Sequence, residues 1–149
     1  MSASLHLARP EDLERLLPLV VAMHAETGIV QTDEGRRAAL VPLLDGSPHG
    51  VAYLIGPQRA PIGYVIVTFG WSLEFGGLDG FIDEIFIRPS VRRRGIASEV
   101  LGALWQALRP AGLKALHLEV ARDDQAARRL YERCRFVPRE GCMLMSRVH

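Results

Sequence analysis

The chain predicts a mixed α/β domain: a mostly antiparallel sheet of about seven strands with helices on both faces. Two observations carry this. Short runs rich in β-branched and aromatic residues alternate with longer stretches of helical period, in the order β-α-α-β-β-β-α-β-α-β-β. And the stretch from Phe81 to Leu101 reads as a strand with both faces largely buried, then a tight loop, then an amphipathic helix.

The elements follow in order. Ser4 to Ala8 alternates polar and apolar, a short first strand. Arg9-Pro10-Glu11-Asp12 starts a helix, with proline in the first turn and acids near the positive end of the dipole. It runs through Leu13, Leu16, Leu17, Val20 and Val21 towards Glu26, with a kink expected at Pro18 and a stop at Gly28. A second helix begins near Thr32-Asp33-Glu34 and closes at Asp45-Gly46-Ser47-Pro48. Val51 to Ile55 and Ile62 to Phe69 read as a hairpin, and Trp71 to Gly80 as a glycine-containing connection. Phe81 to Ile87 is the central strand, which Pro89 ends because proline cannot donate to a ladder. Ile96, Val100, Leu101, Leu104 and Leu108 share one face of the central helix. Leu113 to Val120 is a fifth strand. Asp123 is placed to cap a helix carrying Ala127, Leu130, Tyr131 and Cys134. Phe136 to Pro138 and Met143 to Val148 read as two final strands.

At 149 residues and 48% hydrophobic, residues 1–149 are expected to form one domain with a core of its own. A net charge of +1 gives no electrostatic case for a dedicated nucleic-acid or membrane-surface protein. The longest apolar run, Leu16 to Met23, is too short to span a bilayer. Cys134 and Cys142 are too few for a disulfide framework, which favours a reduced, cytoplasmic setting. The five histidines and two cysteines show no metal-ligand spacing, so no metal is expected.

The loop Arg92-Arg93-Arg94-Gly95-Ile96-Ala97 opens a helix after a strand. Backbone N–H groups left free at such a start point one way, at the positive end of the dipole, and suit a phosphate or pyrophosphate. Gly95 and Ala97 let a ligand approach, and the arginines add charge. There is no G-x-x-x-x-G-K-[ST] and no G-x-G-x-x-G after a strand, so the P-loop and the dinucleotide fingerprint are excluded. What remains, [Q/R]-x-x-G-x-[G/A], resembles the acyl-CoA pyrophosphate loop of the GNAT superfamily of N-acyltransferases. The order of elements is also similar to that family's. So is Asp124-Gln125-Ala126-Ala127-Arg128-Arg129-Leu130-Tyr131 followed by Cys134-Arg135-Phe136, where relatives typically carry N-x-x-A-x-x-L-Y and then Gly-Phe. Asp124 replaces the usual asparagine and keeps the acceptor but loses the donor. Arg135 replaces the usual glycine, so a left-handed backbone there would be strained.

The resemblance implies acetyl transfer from acetyl-CoA to a primary amine, with acetyl-CoA as the cofactor. It implies cofactor contacts from Ile85, Phe86 and Ile87, from Arg92, Arg93, Arg94, Gly95, Ile96, Ala97 and Ser98, and from Asp124, Ala127 and Tyr131. The N–H groups of Ile85 to Ile87 would hold the thioester oxygen where the strand splays from its neighbour. Tyr131 matches the family tyrosine beside the sulfur and is the candidate acid for the departing thiolate; otherwise it is a core aromatic. Asp83 and Glu84 are the candidate bases, since carboxylates in an apolar strand are costly unless paired or wet. Adjacent strand residues face opposite sides, so at most one of the two is expected to serve, and a salt bridge to a neighbouring arginine is the alternative for either.

Glu26, Glu74, Asp79, Glu119 and Glu140 lie on segments that line the acceptor groove in relatives, which would favour a cationic amine. Polyamine acetyltransferases resemble the chain around Asp83, His117-Leu118-Glu119 and Glu140-Gly141. His117 reads as a packed strand histidine. The competing functions are a catalytically silent acyl-CoA-binding module and a peptide or protein N-acetyltransferase. A homodimer through the terminal strands is a further expectation. Arg92-Arg93-Arg94 without interleaved aromatics makes a poor nucleic-acid site.

Overall fold

The computed structural model describes residues 4–149. They fall into two compact units, the first ending at Glu119 and the second running Val120–His149.

The first unit is built on one five-stranded sheet whose spatial order follows the chain. Its strands are β1 (Leu5–Leu7), β2 (Gly50–Ile55), β3 (Gly63–Ser72), β4 (Gly77–Ile87) and β5 (Ala115–His117). The first four pair antiparallel, and β5 joins β4 in parallel. Between β1 and β2 lie α1 (Leu13–Thr27), entered through a 3-10 turn at Pro10–Asp12, and α2 (Asp33–Leu44). Between β4 and β5 lies α3 (Ile96–Leu108). Gly28 ends α1 with φ 77°, its N–H bonded to the His24 carbonyl. Thr32 caps α2 by accepting from Gly35 N–H. Pro18 lies inside α1, which continues to Thr27.

The core lies against the sheet. Leu16, Leu17, Leu19 and Val20 of α1 and Leu40 and Leu44 of α2 pack with Ala52, Leu54, Tyr64, Ile66 and Phe86. The alternate strand residues, Ile55, Val65, Val67 and Ile82, are buried too, as is the apolar stripe of α3: Ile96, Val100, Leu101, Leu104 and Leu108. Period-two alternation, offset by one residue at an irregularity in β4, puts these two strand sets on opposite faces of the sheet.

Four expectations need correcting. Trp71 to Gly80 is mostly strand: β3 runs on to Ser72 and β4 starts at Gly77, so only 73–76 turn. The glycines there read as loop, but Gly80 lies close to Leu116, Val67 and Leu113, where a Cβ would stand 3.2–3.3 Å from their side chains. The fifth strand holds only the three residues that pair with Asp79 to Phe81. The two terminal strands are not formed: among the described residues, 137–149 carry neither helix nor strand, and Val137, Met143, Leu144, Met145 and Val148 are exposed. A strand needs a ladder partner, and alternation alone does not supply one. In the second unit, α4 (Gln125–Arg133) is capped by Asp124, which accepts from Ala127 N–H, and not by Asp123. Arg135, just past α4, has φ 73°, the left-handed backbone that the family's glycine would take without strain.

Candidate active site

β4 organises the site. Its register against β3 slips between Ile66 and Val67: Ile66 faces Glu84 while Val67 faces Ile82, leaving Asp83 as the extra residue of a β-bulge. Ile82 and Glu84, two apart, therefore lie on opposite faces, and strict alternation fails where the carboxylates stand. Glu84 turns inward. Its Oε1 accepts from the Tyr64 hydroxyl at 2.8 Å, and its Oε2 is 2.8 Å from His24 Nε2. The Tyr64 phenol is held protonated by burial first and then by the Glu84 charge beside it. Glu84 thus answers to a tyrosine and a histidine, not to the arginine that a salt bridge would have used.

Asp83 is exposed. Its carboxyl is nonetheless pushed above the usual aspartate value, first by the atoms crowding out water, then by Glu84 and Glu119, with His24 acting in the opposite sense. Two further carboxylates, one of them tied down, therefore stand near enough to disfavour charge on Asp83.

Beyond the bulge β4 has a free edge. Arg88 N–H donates to the Ile62 carbonyl, and Phe86 and Glu84 face Tyr64 and Ile66 in the same register. By the alternation of an antiparallel ladder, Ile85 and Ile87 turn their peptide groups the other way. β5 has ended there, and among the described residues no strand pairs with that side. The Ile87 carbonyl is taken by Arg92 Nε at 2.7 Å.

The loop into α3 carries the second half of the site. Arg93 and Gly95 both have left-handed backbone, φ 65° and 75°. No side chain caps α3, so the N–H groups of its first turn, at Ile96, Ala97 and Ser98, point out of the helix start. A Cβ at Gly95 would meet nothing within 4 Å. That open approach, the uncapped N–H groups and the exposed Arg93 and Arg94 fit a pyrophosphate. Arg92 is differently employed: besides holding Ile87, it pairs with Glu26 at 2.8 Å and lies 5.4 Å over the Phe86 ring.

The remaining carboxylates are mostly committed. Glu26 is bound to Arg92, Glu140 pairs with Arg128, and Asp79 pairs with His117 at 3.2 Å. Each of these three carboxylates, expected to line an acceptor groove, has an arginine or histidine partner of its own. Glu74 lies in the β3–β4 turn. In the second unit Tyr131 is half-buried, with the edge of its ring against Phe136 at 6.1 Å. Burial first, then Asp124 and Cys134, push its phenol above the ordinary value, which keeps it protonated at neutral pH.

The profile of the acetyltransferase (GNAT) family matches residues 20–136, most of the chain, including β4, the loop into α3 and α4. The chain belongs to the GNAT acetyltransferase family. It is an acetyl-CoA-dependent acetyltransferase, with acetyl-CoA as its cosubstrate. No curated protein matches the sequence. Among solved structures, an integron cassette protein from the mobile metagenome of Cole Harbour Salt Marsh is 28% identical, with TM-score 0.82 over 97% of this chain and 89% of that one. The ribosomal-protein-alanine N-acetyltransferase of Brucella melitensis biovar Abortus 2308 is 18% identical, with TM-score 0.76 over 99% and 100%. AAC(6')-Iy, in complex with the bisubstrate analogue CoA-S-monomethyl-acetylneamine, is 15% identical, with TM-score 0.82 over 100% and 99%. At such identities the last two share the fold. No helix among the described residues is long and apolar enough to cross a membrane.

Sequence reasoning missed His24 and Tyr64. Both are polar groups at core positions, His24 one turn after Val20 on the buried stripe of α1 and Tyr64 the largest fully buried side chain. A polar residue on an apolar stripe is the signal that would have found them.

Proposed function

We propose that this GNAT enzyme acetylates a primary amine of a small cationic molecule, with Asp83 as the base and Tyr131 as the acid. The observation that carries the reading is the bulge: it leaves Asp83 exposed with raised proton affinity while Glu84 is bound on both oxygens. The chemistry is direct. The amine nitrogen attacks the thioester carbon, the C–N bond forms and the C–S bond breaks. Asp83 takes the amine proton through a water. Ile85 and Ile87 offer N–H groups to the thioester oxygen as it gains charge. Tyr131 gives its proton to the departing sulfur and regains one from solvent. Arg93, Arg94 and the first turn of α3 bind the pyrophosphate, and Arg92 holds the loop to β4 and α1. The neighbouring carboxylates of Asp83, Glu84 and Glu119 favour a cationic acceptor over a neutral one.

Thiol release from acetyl-CoA tests this with spermidine, neamine and a peptide beginning with alanine as acceptors. Release with the small polyamines and little with the peptide is the expected outcome. Release with the peptide alone would move the acceptor class to proteins. Tight acetyl-CoA binding with no release to any amine would leave a binding module. Tyr131→Phe should then lower kcat by a factor on the order of a hundred to ten thousand, with KM for acetyl-CoA little changed. A wild-type kcat in that variant, with chemistry limiting, removes Tyr131 from the mechanism.

A further inference from the structure

Behind Asp83 runs a chain of half-buried polar contacts that the reaction above does not use. It begins at Tyr64 on β3, passes through Glu84 on β4 to His24 on α1, and ends on α2, where Arg36 Nε donates to His24 Nδ1 at 3.0 Å. Arg36 is itself held by Asp33, at 2.7 Å. Four elements meet in this chain, and His24 is 7% exposed.

The donor arithmetic admits one arrangement. An arginine Nε–H can only donate, so His24 Nδ1 must accept, and the ring proton then sits on Nε2. That proton points at Glu84 Oε2. Tyr64 supplies the second donor, at Oε1. Glu84 is thus gripped at both oxygens, by a fully buried tyrosine and by a histidine whose ring is oriented from behind by Arg36. Glu84 is also the first residue back in register after the bulge. Were it free to swing outward, the extra residue could migrate along β4, and Asp83 would lose its direction.

We propose that His24 is a positioning residue for acetyl transfer: locked by Arg36 with its proton on Nε2, it holds Glu84 inward and so fixes the bulge that presents Asp83. This rests on the reading of Asp83 as the base, and on geometry that stands without it. The charged and titratable groups around Asp83 are Glu84 on its own strand, Glu119 just after β5 and His24 on α1.

Three measurements test it. Ring 15N NMR of His24 at neutral pH should show the proton on Nε2; a proton on Nδ1 overturns the proposal. In turnover with the best amine of the panel, His24→Phe should lose about tenfold or more in kcat with KM for acetyl-CoA within about twofold. His24→Gln, whose amide offers an N–H to Glu84 and a carbonyl to Arg36, should recover kcat to within about threefold of wild type. Equal losses in the two variants overturn it. Carboxyl 13C titration of Asp83 needs no acceptor: His24→Phe, which also frees Glu84, should be displaced from wild type further than His24→Gln, which removes only the imidazole's own effect on Asp83. Coincidence of all three overturns it. If the wild type acetylates no amine, the proposed acceptor chemistry fails while the NMR results still decide the role of His24. Should His24→Phe not fold, Tyr64→Phe keeps the ring and removes the other donor, with the same kcat loss expected and an unchanged kcat overturning the proposal.

Discussion

At Asp83, lost hydration, then Glu84 and Glu119, all disfavour the charged form. The folded-state pKa is raised, so the folded chain holds its proton to higher pH than the unfolded chain does. Stability from this group is present below the ordinary aspartate range, about 3.9, and is lost as pH rises through the folded value. The proposed base is therefore a destabilised residue at neutral pH, where it is charged. Asp83→Asn should unfold at a higher temperature than wild type at neutral pH, with the difference closing as pH falls below about 4. Its turnover should drop by a factor on the order of a hundred or more. Thermal melts across pH beside initial rates check both, and a variant less stable at neutral pH, or as active as wild type, counts against Asp83. Asp12 shows the opposite sign. Burial raises its pKa, but the Arg15 side chain and Arg9 N–H together outweigh that and leave it lowered. Its contribution is present at neutral pH and is lost as pH falls through the folded value.

At the level of single elements, α4 is followed by Arg135 where the motif it resembles typically carries glycine. Its last turn ends with Arg135 N–H bonded to the Glu132 carbonyl and Phe136 N–H to the Tyr131 carbonyl. These bonds need left-handed backbone at Arg135, and an L side chain there costs about 1–2 kcal/mol relative to right-handed backbone. Arg135→Gly removes that strain and part of the gain returns as unfolded-state entropy. The expected outcome is a net stabilisation of up to about 1 kcal/mol, read from urea unfolding, with unchanged KM for acetyl-CoA. A destabilised variant would mean that the Arg135 side chain holds something its backbone strain conceals. The strain at 135 was legible in the sequence because glycine is the residue that the motif carries there. The bulge was not legible. Nothing in Phe81-Ile82-Asp83-Glu84-Ile85 says which residue is extra, since that is fixed by the register against β3 and by partners twenty and sixty positions away, Tyr64 and His24.

Over the whole chain, the order of elements from β1 to α4 was readable because each has its own period and its own stops: Gly28, Pro89 and the turn at Gly112. What alternation could not tell was pairing. The apolar run Met143 to Val148 looks like a strand and finds no ladder among the described residues, while Trp71 to Gly80 looks like a loop and pairs for much of its length. The loop before α3 reads in the sequence as an anion site, and that reading predicts a ligand-dependent melting point. Acetyl-CoA that binds only the folded chain stabilises it by RT ln(1 + [L]/Kd), about 2.7 kcal/mol at a hundredfold excess over Kd. For 149 residues, 1 kcal/mol moves the melting temperature by about 2–4 °C, so the shift should be about 5–11 °C. Gly95→Ala separates the ligand's contribution from the loop's own. Its methyl group meets no protein atom within 4 Å, but φ is 75°, a backbone that costs an alanine about 1–2 kcal/mol. The unliganded variant should therefore melt a few degrees lower. The same methyl projects into the open approach beside the first turn of α3, so the acetyl-CoA shift should also shrink at fixed concentration. A variant with a lowered melting point but the full wild-type shift would place the pyrophosphate away from Gly95. Absence of any shift in the wild type at saturating acetyl-CoA would remove the loop from cosubstrate binding.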